Sequence, residues 1–289
     1  MRYEVADTVE SAASLLAGEA GQSYVLAGGT DLLVQLRAGL VQPDLVVDVK
    51  RIDELRTISE ADGGYTVGAA VAGAELGEHA SIGNVWPGVV EGAELIGSTQ
   101  VQGRASMGGN LCNASPAADS VPALIAAGAT CTIVGPNGKR EAAVADIPTG
   151  PGQNSLEKGE VLVSLHFPAR PANSSDAYLR MIPRTEMDIA IVGAAVNLTL
   201  DDDGTCTAAT VVLGAVAPTA IEVPEAGAAL VGTKVDDAAL EAVSAAASAA
   251  ARPISDKRGT AEYRTKVVGV MAKRAAKIAY DRAANKGGK

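Results

Sequence analysis

The sequence predicts an α+β fold with a two-part N-terminal region of about 170 residues and an α+β C-terminal region. Three observations predict it. Short apolar runs alternate with helix-like stretches in the first fifty residues, and Gly- and Asp-containing turns then divide further apolar runs into hairpins. A Pro- and Ser-rich segment at 168–176 finally interrupts the pattern and is typical of a linker.

The first fifty residues predict a compact β-α-β unit. Asp7-Thr8-Val9-Glu10 is typical of a helix cap, and the helix that it starts is expected to end near Gly18. Residues 24–26 predict a strand, residues 32–37 a second helix and residues 45–49 a buried strand.

The next elements follow from turn signals and apolar spacing. In order, we expect a hairpin over 55–70 turning at Asp62-Gly63-Gly64, a helical stretch over 73–97 interrupted by Gly83 and Pro87, a helix over 119–127, a hairpin turning at Pro136-Asn137-Gly138 and a strand over 160–167.

Beyond the linker, two β-rich arms over 189–200 and 207–216 flank a turn at 201–204, and two helices end the chain. The Ala-rich run 238–251 is a helix by propensity. The last helix is expected to bury an apolar face made of Tyr263, Val267, Val270, Met271 and Ile278, opposite Lys266, Lys273, Arg274 and Lys277.

Composition and charge exclude several classes of protein. The formal net charge of −10 argues against a nucleic-acid partner, because no basic field attracts a phosphate backbone. Three distant cysteines without a C-x-x-C motif argue against a disulfide framework, a zinc site or a self-contained iron–sulfur cluster. The start lacks the regions of a signal peptide, and no apolar run approaches the ~20 residues of a membrane span, so we expect a soluble, cytoplasmic chain.

Two glycine-rich segments carry the strongest functional signal. They are Leu26-Ala27-Gly28-Gly29-Thr30-Asp31, which leads into a helix at Leu32, and Ala105-Ser106-Met107-Gly108-Gly109-Asn110. Glycine pairs let backbone N–H groups approach an anion without an intervening Cβ, and we expect Gly29 and Gly109 to supply close approach or a positive φ. Two such loops predict a ligand with an extended phosphate-bearing body, such as a dinucleotide.

The simpler alternative is that each glycine pair forms an ordinary tight turn in a chain with 32 glycines. The G-x-G-x-x-G and G-x-x-x-x-G-K-[ST] fingerprints are absent, which disfavours an ordinary NAD domain and an NTPase. The second pair is the more informative of the two, because many polar groups and the carboxylate of Asp119 follow it just before a helix.

Other reactive residue types have structural explanations. Cys112 follows the second segment and could attach a flavin, but a small buried apolar role is preferred. His79 and His166 are expected to be structural, and Asp201-Asp202-Asp203 a solvated turn rather than a calcium loop. The stretch 258–264 predicts either an ion network at a helix start or a subunit contact.

Along nearly its full length the chain resembles the FAD-binding (medium) subunit of the molybdenum hydroxylases, the family of aerobic carbon monoxide dehydrogenase, xanthine dehydrogenase and aldehyde oxidase. The matching segments, in the family's order, are Ala27-Gly28-Gly29-Thr30-Asp31, Ala105-Ser106-Met107-Gly108-Gly109-Asn110 with Ser115-Pro116 and Asp119, Arg184 with Asp188-Ile189-Ala190, Gly214-Ala215-Val216-Ala217-Pro218, and Arg258-Gly259-Thr260-Ala261-Glu262-Tyr263-Arg264.

The resemblance implies non-covalent FAD in a fold of the vanillyl-alcohol oxidase type. It implies two α+β FAD-binding subdomains at 1–55 and 56–170 and a C-terminal α+β domain with an antiparallel sheet at 176–289. Arg180 stands where relatives often carry Lys. The implied cofactor-binding residues are Leu26, Ala27, Gly28, Gly29, Thr30, Asp31, Leu32, Ile96, Gly97, Ala105, Ser106, Gly108, Gly109, Asn110, Ser115, Asp119, Leu162 and Arg180.

The resemblance further implies an electron-transfer flavoprotein subunit with no catalytic or metal-binding residue of its own. A large molybdopterin subunit and a small subunit with two [2Fe–2S] clusters would be its partners, in a dimer of heterotrimers that passes electrons to a quinone or NAD⁺. The complex would be cytoplasmic, or peripheral at the inner membrane face. Two alternatives stay open: a stand-alone FAD-dependent oxidoreductase of the vanillyl-alcohol oxidase class, and a nucleotide-binding scaffold without a redox role.

Overall fold

A computed structural model describes residues 1–286 of the chain. Its strands are β1 (Arg2–Val5), β2 (Ser23–Leu26), β3 (Leu45–Asp48), β4 (Ile58–Ala61), β5 (Gly64–Gly68), β6 (Thr130–Gly135), β7 (Gly138–Ala143), β8 (Pro148–Gly150), β9 (Gln153–Asn154), β10 (Val161–Phe167), β11 (Ser174–Met181), β12 (Val192–Leu200), β13 (Cys206–Gly214) and β14 (Ile221–Glu222). Its helices are α1 (Val9–Gly18), α2 (Leu32–Arg37), α3 (Gly73–Gly77), α4 (Ile82–Val85), α5 (Pro87–Glu94), α6 (Thr99–Gln102), α7 (Met107–Asn113), α8 (Ser120–Ala126), α9 (Pro224–Ala228), α10 (Asp237–Ala250) and α11 (Ala261–Lys286).

The first unit is a three-stranded parallel sheet in the order β1-β3-β2. Helix α1 starts as the sequence predicts, because Thr8 and Ser11 cap each other: the Ser11 N–H donates to Thr8 Oγ1 over 3.1 Å, and the Thr8 N–H to Ser11 Oγ over 3.2 Å. The predicted β-α-β unit is confirmed. The sequence did not indicate β1, whose four residues alternate polar Arg2 and Glu4 with Tyr3 and Val5.

The second unit is a five-stranded antiparallel sheet in the order β4-β5-β10-β6-β7. Strand β10 lies in its centre, between β6 and the much earlier strand β5. The strand contributes to two cores, because its register shifts between Leu162 and Ser164. Val161 and Val163, before and at the shift, pack with α1 and the parallel sheet, whereas Leu165 and Phe167 after it pack with α5, α7 and α8. Helix α1 therefore connects the two sheets through one shared apolar layer.

The C-terminal unit is an antiparallel sheet in the order β11-β12-β13-β14, covered on one face by α10 and α11. The predicted apolar face of α11 is correct in part. Val267, Met271 and Ile278 pack partly buried against the core, whereas Tyr263 and Val270 are exposed. The fully buried positions are Val268 and a row of alanines at 272, 275, 276, 279 and 283. Close packing explains the difference. A Cβ at Gly269 would lie 2.6 Å from the Ser244 backbone oxygen of α10, so only small side chains fit at this contact. Across residues 1–286 no helix combines the length and the apolar character of a membrane span.

The segment 168–176 is shorter and more ordered than the predicted linker. Strand β11 already begins at Ser174, and the Arg170 side chain is buried. The Arg170 guanidinium lies 4.0 Å above the Trp86 ring and pairs with Asp176 over 2.7 Å and with Asn197 Oδ1 over 2.6 Å. This arginine ties α5 of the N-terminal half to the C-terminal sheet.

Candidate functional site

A cavity of about 600 Å³, here called the cleft, opens between the parallel sheet and the five-stranded sheet. Both glycine-rich segments line it, together with residues of β2, α2, the end of α7 and the start of β10. Its volume lies within the range of small-molecule and cofactor sites. The fold thus brings together two segments that are far apart in the sequence.

The first glycine segment contributes free backbone donors to the cleft. Gly29 has a φ of +79°, and a Cβ on Gly28 would lie 1.6 Å from the Arg104 carbonyl oxygen, so the two glycine segments touch through their backbones. In the described part of the chain, no group accepts a hydrogen bond from the N–H groups of residues 28–32. Such donors require a partner in water or in a ligand, and a run of unpartnered N–H groups in the wall of a cavity suits an anion.

The second glycine segment is helical rather than a loop, which corrects the sequence prediction. Helix α7 starts at Met107, and Ser106 Oγ caps it by accepting the Gly109 N–H over 3.1 Å. Gly108, not Gly109, is the position that excludes a side chain: a Cβ there would lie 2.4 Å from the Ala69 carbonyl oxygen. A Cβ on Gly109 would meet only Ser106 Oγ, at 3.2 Å, and the φ of Gly109 is not positive.

Two hydrogen bonds join elements around the cleft that the sequence did not connect. Gln35 Nε2 of α2 donates to Asn113 Oδ1 at the end of α7 over 3.0 Å, and Asn154 Nδ2 donates to the Cys112 carbonyl over 2.8 Å. All four residues line the cleft. Cys112 and Asn113 lie close behind the second glycine segment, and this position could have identified them as wall residues. No feature of the sequence identifies Gln35 and Asn154 as wall residues.

The cleft has little charge. Asp31 and Glu160 are its acidic residues, and its wall within residues 1–286 contains no Lys or Arg. The Asp31 carboxylate is partly desolvated, which raises its pKa. Glu160 instead receives two hydrogen bonds from Arg140, at 2.6 and 2.7 Å, and this contact holds its pKa below the ordinary value. Backbone N–H groups, and not cationic side chains, are therefore the available donors for a phosphate.

Asp119 and Arg180 form a buried ion pair next to the cleft. Arg180 Nη1 lies 2.6 Å from Asp119 Oδ2, and the Tyr178 hydroxyl donates to Asp119 Oδ1 over 3.1 Å. Burial raises the pKa of Asp119 to about 6 despite the opposing charge of Arg180. Burial also raises the pKa of Tyr178 well above its ordinary value. The pair joins the start of α8 to β11.

Most of the residues that the sequence analysis selected lie in the wall of the cleft. These are Ala27, Gly28, Gly29, Thr30, Asp31, Leu32, Ile96, Ala105, Ser106, Gly108, Gly109, Asn110 and Leu162. The others lie outside the wall: Leu26, Gly97, Ser115, Asp119 and Arg180. Residues of the wall that were not selected include Tyr24, Gln35, Leu40, Val41, Cys112, Asn113, Asn154 and Glu160.

The remaining reactive residues have structural partners. His166 contacts the hydroxyls of Thr66 and Thr132 at 3.0 and 2.7 Å, and His79 Nδ1 accepts the Ile82 N–H at 3.4 Å. Burial raises the pKa of the Cys112 thiol to about 12. No group of His, Cys, Asp and Glu within residues 1–286 is arranged to hold a metal ion.

The two polar stretches of the C-terminal half are also structural. Asp201 accepts the N–H groups of Asp203 and Thr205 over 3.0 and 2.8 Å, which closes the turn between β12 and β13. At the start of α11, Arg264 pairs with Asp256 over 2.7 Å and donates to the Ile191 carbonyl over 2.8 Å. The stretch 258–264 therefore belongs to an ion network at a helix start.

Two family models match the chain. Residues 1–170 match the FAD binding domain in molybdopterin dehydrogenase, and residues 177–279 match the CO dehydrogenase flavoprotein C-terminal domain. The chain belongs to the family of FAD-binding medium subunits of carbon monoxide dehydrogenase and xanthine dehydrogenase. The predicted α+β class, with an FAD-binding domain followed by a domain with an antiparallel sheet, is confirmed.

Individual relatives cover nearly the whole chain. The carbon monoxide dehydrogenase medium chain of Afipia carboxidovorans is 34% identical over 98% of both chains, and the xanthine dehydrogenase FAD-binding subunit of Escherichia coli O157:H7 is 32% identical over 99% of this chain and 97% of its own. Among solved structures, carbon monoxide dehydrogenase from Hydrogenophaga pseudoflava gives a TM-score of 0.93 at 33% identity, covering 98% of both chains. Quinoline 2-oxidoreductase from Pseudomonas putida 86 gives 0.90 at 27% identity, also covering 98% of both chains.

Proposed function

We propose that the chain is the FAD-binding electron-transfer subunit of a molybdenum hydroxylase, of the carbon monoxide dehydrogenase type or the xanthine and N-heterocycle dehydrogenase type. The observation that carries the proposal is the cleft itself. It lies within residues that match an FAD-binding family model, both glycine segments line it, and the first of them supplies backbone N–H groups without a partner in residues 1–286. FAD, when bound, takes up electrons singly and passes them on to an acceptor.

Different residues in the wall of the cleft suit different parts of the cofactor. The N–H groups of residues 28–32 suit the diphosphate, and the second segment, 105–110, suits the diphosphate, ribityl chain and flavin. The apolar side chains of Ile96 and Leu162 suit ring faces. We keep Leu26, Gly97, Ser115, Asp119 and Arg180 in the proposed cofactor-binding set on the family resemblance, although they lie outside the wall of the cleft.

The non-covalent character of the binding is part of the proposal. Cys112 is the cysteine in the wall, and its thiol, with a pKa raised to about 12, is a weak nucleophile at neutral pH. A covalent link through it is therefore disfavoured.

The proposed partners follow from the family to which the chain belongs. We place [2Fe–2S] clusters in a small subunit and the molybdopterin in a large one, in a cytoplasmic dimer of heterotrimers with a quinone or NAD⁺ as acceptor. The cysteine count agrees with clusters in another subunit, because a [2Fe–2S] cluster needs four ligands and the chain has three cysteines at distant positions. The names of the relatives, a medium chain and FAD-binding subunits, support this arrangement. We also propose domains at 1–55, 56–170 and 176–289. The three main sheets support this division, although β11 of the third sheet begins at Ser174.

The test is purification of the intact complex with this chain, followed by measurement of FAD, molybdenum and iron and of flavin reduction by carbon monoxide, xanthine and an N-heterocycle. We expect one FAD for each copy of this chain and substrate-dependent flavin bleaching in the complex only. Substrate-specific bleaching of the isolated chain would instead establish a stand-alone oxidoreductase. A colourless chain that rejects added FAD would establish a scaffold.

A further inference from the structure

The contact between Asn110 and Ser120 fixes the orientation of a side chain in the wall of the cleft. Asn110 Oδ1 accepts two hydrogen bonds from Ser120, one from its backbone N–H over 3.3 Å and one from its hydroxyl over 2.8 Å. Because a backbone N–H can only donate, the atom that faces it must be the carboxamide oxygen. Ser120 is completely buried, so water does not compete for this contact.

This contact also explains how α8 begins. Asp119 stands at the N-cap position of α8, but its side chain makes no capping bond, since both of its oxygens are held by Tyr178 and Arg180. Asn110 takes over the capping role from α7 by accepting the N–H of Ser120, the first residue of α8. Two neighbouring helices are thereby joined through one amide oxygen.

The other end of the same carboxamide remains available. Asn110 lines the cleft, and within residues 1–286 no group accepts a hydrogen bond from its Nδ2. An amide nitrogen carries two donor hydrogens and gains most when both are satisfied. With its oxygen held at α8, the nitrogen is the polar atom of this side chain that is left for a ligand in the cleft.

We propose that Ser120 is a positioning residue for FAD: it holds the Asn110 carboxamide so that Nδ2 donates to an acceptor atom of the cofactor. The inference rests on the proposed FAD site. It adds a buried residue that does not line the cleft and that acts only through Asn110. Without the hydroxyl, Asn110 Oδ1 keeps only the longer of its two bonds, and the amide can rotate away.

A double-mutant cycle tests the proposal in the full chain, with FAD affinity measured by titration of the FAD-free protein. We expect Asn110→Ala to weaken binding at least tenfold and Ser120→Ala to weaken it about 3–10-fold, the effect of one neutral hydrogen bond. In the Asn110→Ala background, Ser120→Ala should have no further effect, because its action passes through the missing amide. Independent, multiplying effects of the two substitutions would overturn the proposal.

Two further variants separate positioning from stability. Asn110→Asp keeps an acceptor for α8 but removes the donors, so FAD binding should fall while the melting temperature of the FAD-free protein stays the same. Ser175→Ala is the matched control, because Ser175 is equally buried, lies in β11, and its hydroxyl has no partner within residues 1–286. It should leave FAD affinity unchanged.

The same variants separate a failure of the proposed FAD site from a failure of the proposed role of Ser120. If Gly28→Ala and Asn110→Ala both retain FAD with normal affinity, the cleft is not the FAD site. If both lose FAD while Ser120→Ala binds normally, the site stands and the positioning role is wrong.

Discussion

Replacing Gly28 with alanine tests the direct contact between the two glycine segments. The new Cβ would lie 1.6 Å from the Arg104 carbonyl oxygen and 2.4 Å from its carbonyl carbon. Both neighbours are backbone atoms, so no side-chain rotation can relieve the clash. The contact must lengthen to at least 3.0 Å, which separates the two segments where they meet beside the cleft.

The expected magnitude follows from this displacement. Overpacking of a well-packed contact costs about 1–3 kcal/mol. If about 2 kcal/mol of this cost falls on the FAD-bound state, the FAD dissociation constant rises about 30-fold. We therefore expect Gly28→Ala to be purified with little FAD and to show a smaller rise in melting temperature on FAD addition than the wild type.

The assay compares FAD content after gel filtration, FAD affinity by fluorescence titration, and melting temperature with and without FAD. Gly18→Ala is the matched control. It lies in the same unit, at the end of α1, with nothing within 4 Å of the new Cβ and no positive φ. It should be neutral or stabilising by up to about 1 kcal/mol. Wild-type FAD affinity and melting temperature in Gly28→Ala would refute the reasoning.

Three further predictions concern buried groups. Because the pKa of Asp119 is raised to about 6 from the ordinary 3.8, the folded state binds a proton between about pH 4 and pH 6 that the unfolded chain releases, so this group's contribution to stability falls as the pH rises through that window. Asp119→Asn should remove this fall, and parallel curves of melting temperature against pH for the two proteins would contradict the assignment. Arg170→Met should cost about 3–5 kcal/mol in urea unfolding, because it leaves Asp176 buried without its partner, whereas the exposed Arg184→Ala should cost less than about 1 kcal/mol. With a thiol pKa of about 12, Cys112 should resist iodoacetamide at pH 8 in the native protein, and acid precipitation should release all of the FAD; a flavin-labelled peptide containing Cys112 in mass spectrometry would disprove this.

Local signals in the sequence predicted local structure well. The cap at Thr8, the helix over 32–37 and the turn at Asp62-Gly63 depend on neighbouring residues, and the structure confirms each of them. Helix α7 was missed because its Gly-Gly pair has low helix propensity. Its helical conformation depends on the Ser106 cap and on the close approach of Gly108 to the backbone of Ala69.

Features that depend on distant partners could not be predicted in this way. The fully buried face of α11 consists mostly of alanines because α10 approaches it closely, and larger residues such as Val267, Met271 and Ile278 lie at the partly buried edge of the contact. In the cleft, the glycine segments were found through their composition. The bonds Gln35–Asn113 and Ser120–Asn110 were not, because each joins elements whose approach is set by the tertiary fold.

The central place of β10 has a consequence for how the protein is made on the ribosome. Its neighbour β5 emerges early, but it cannot complete its pairing with β10 until residue 167 has been synthesised. Loop closure over about a hundred residues is slow, and the unpaired strand edges are exposed to aggregation until it occurs. Nascent chains that stop before residue 160 should therefore stay unfolded and sensitive to protease, and capture of the coenzyme should begin only after the first half of the polypeptide has left the exit tunnel.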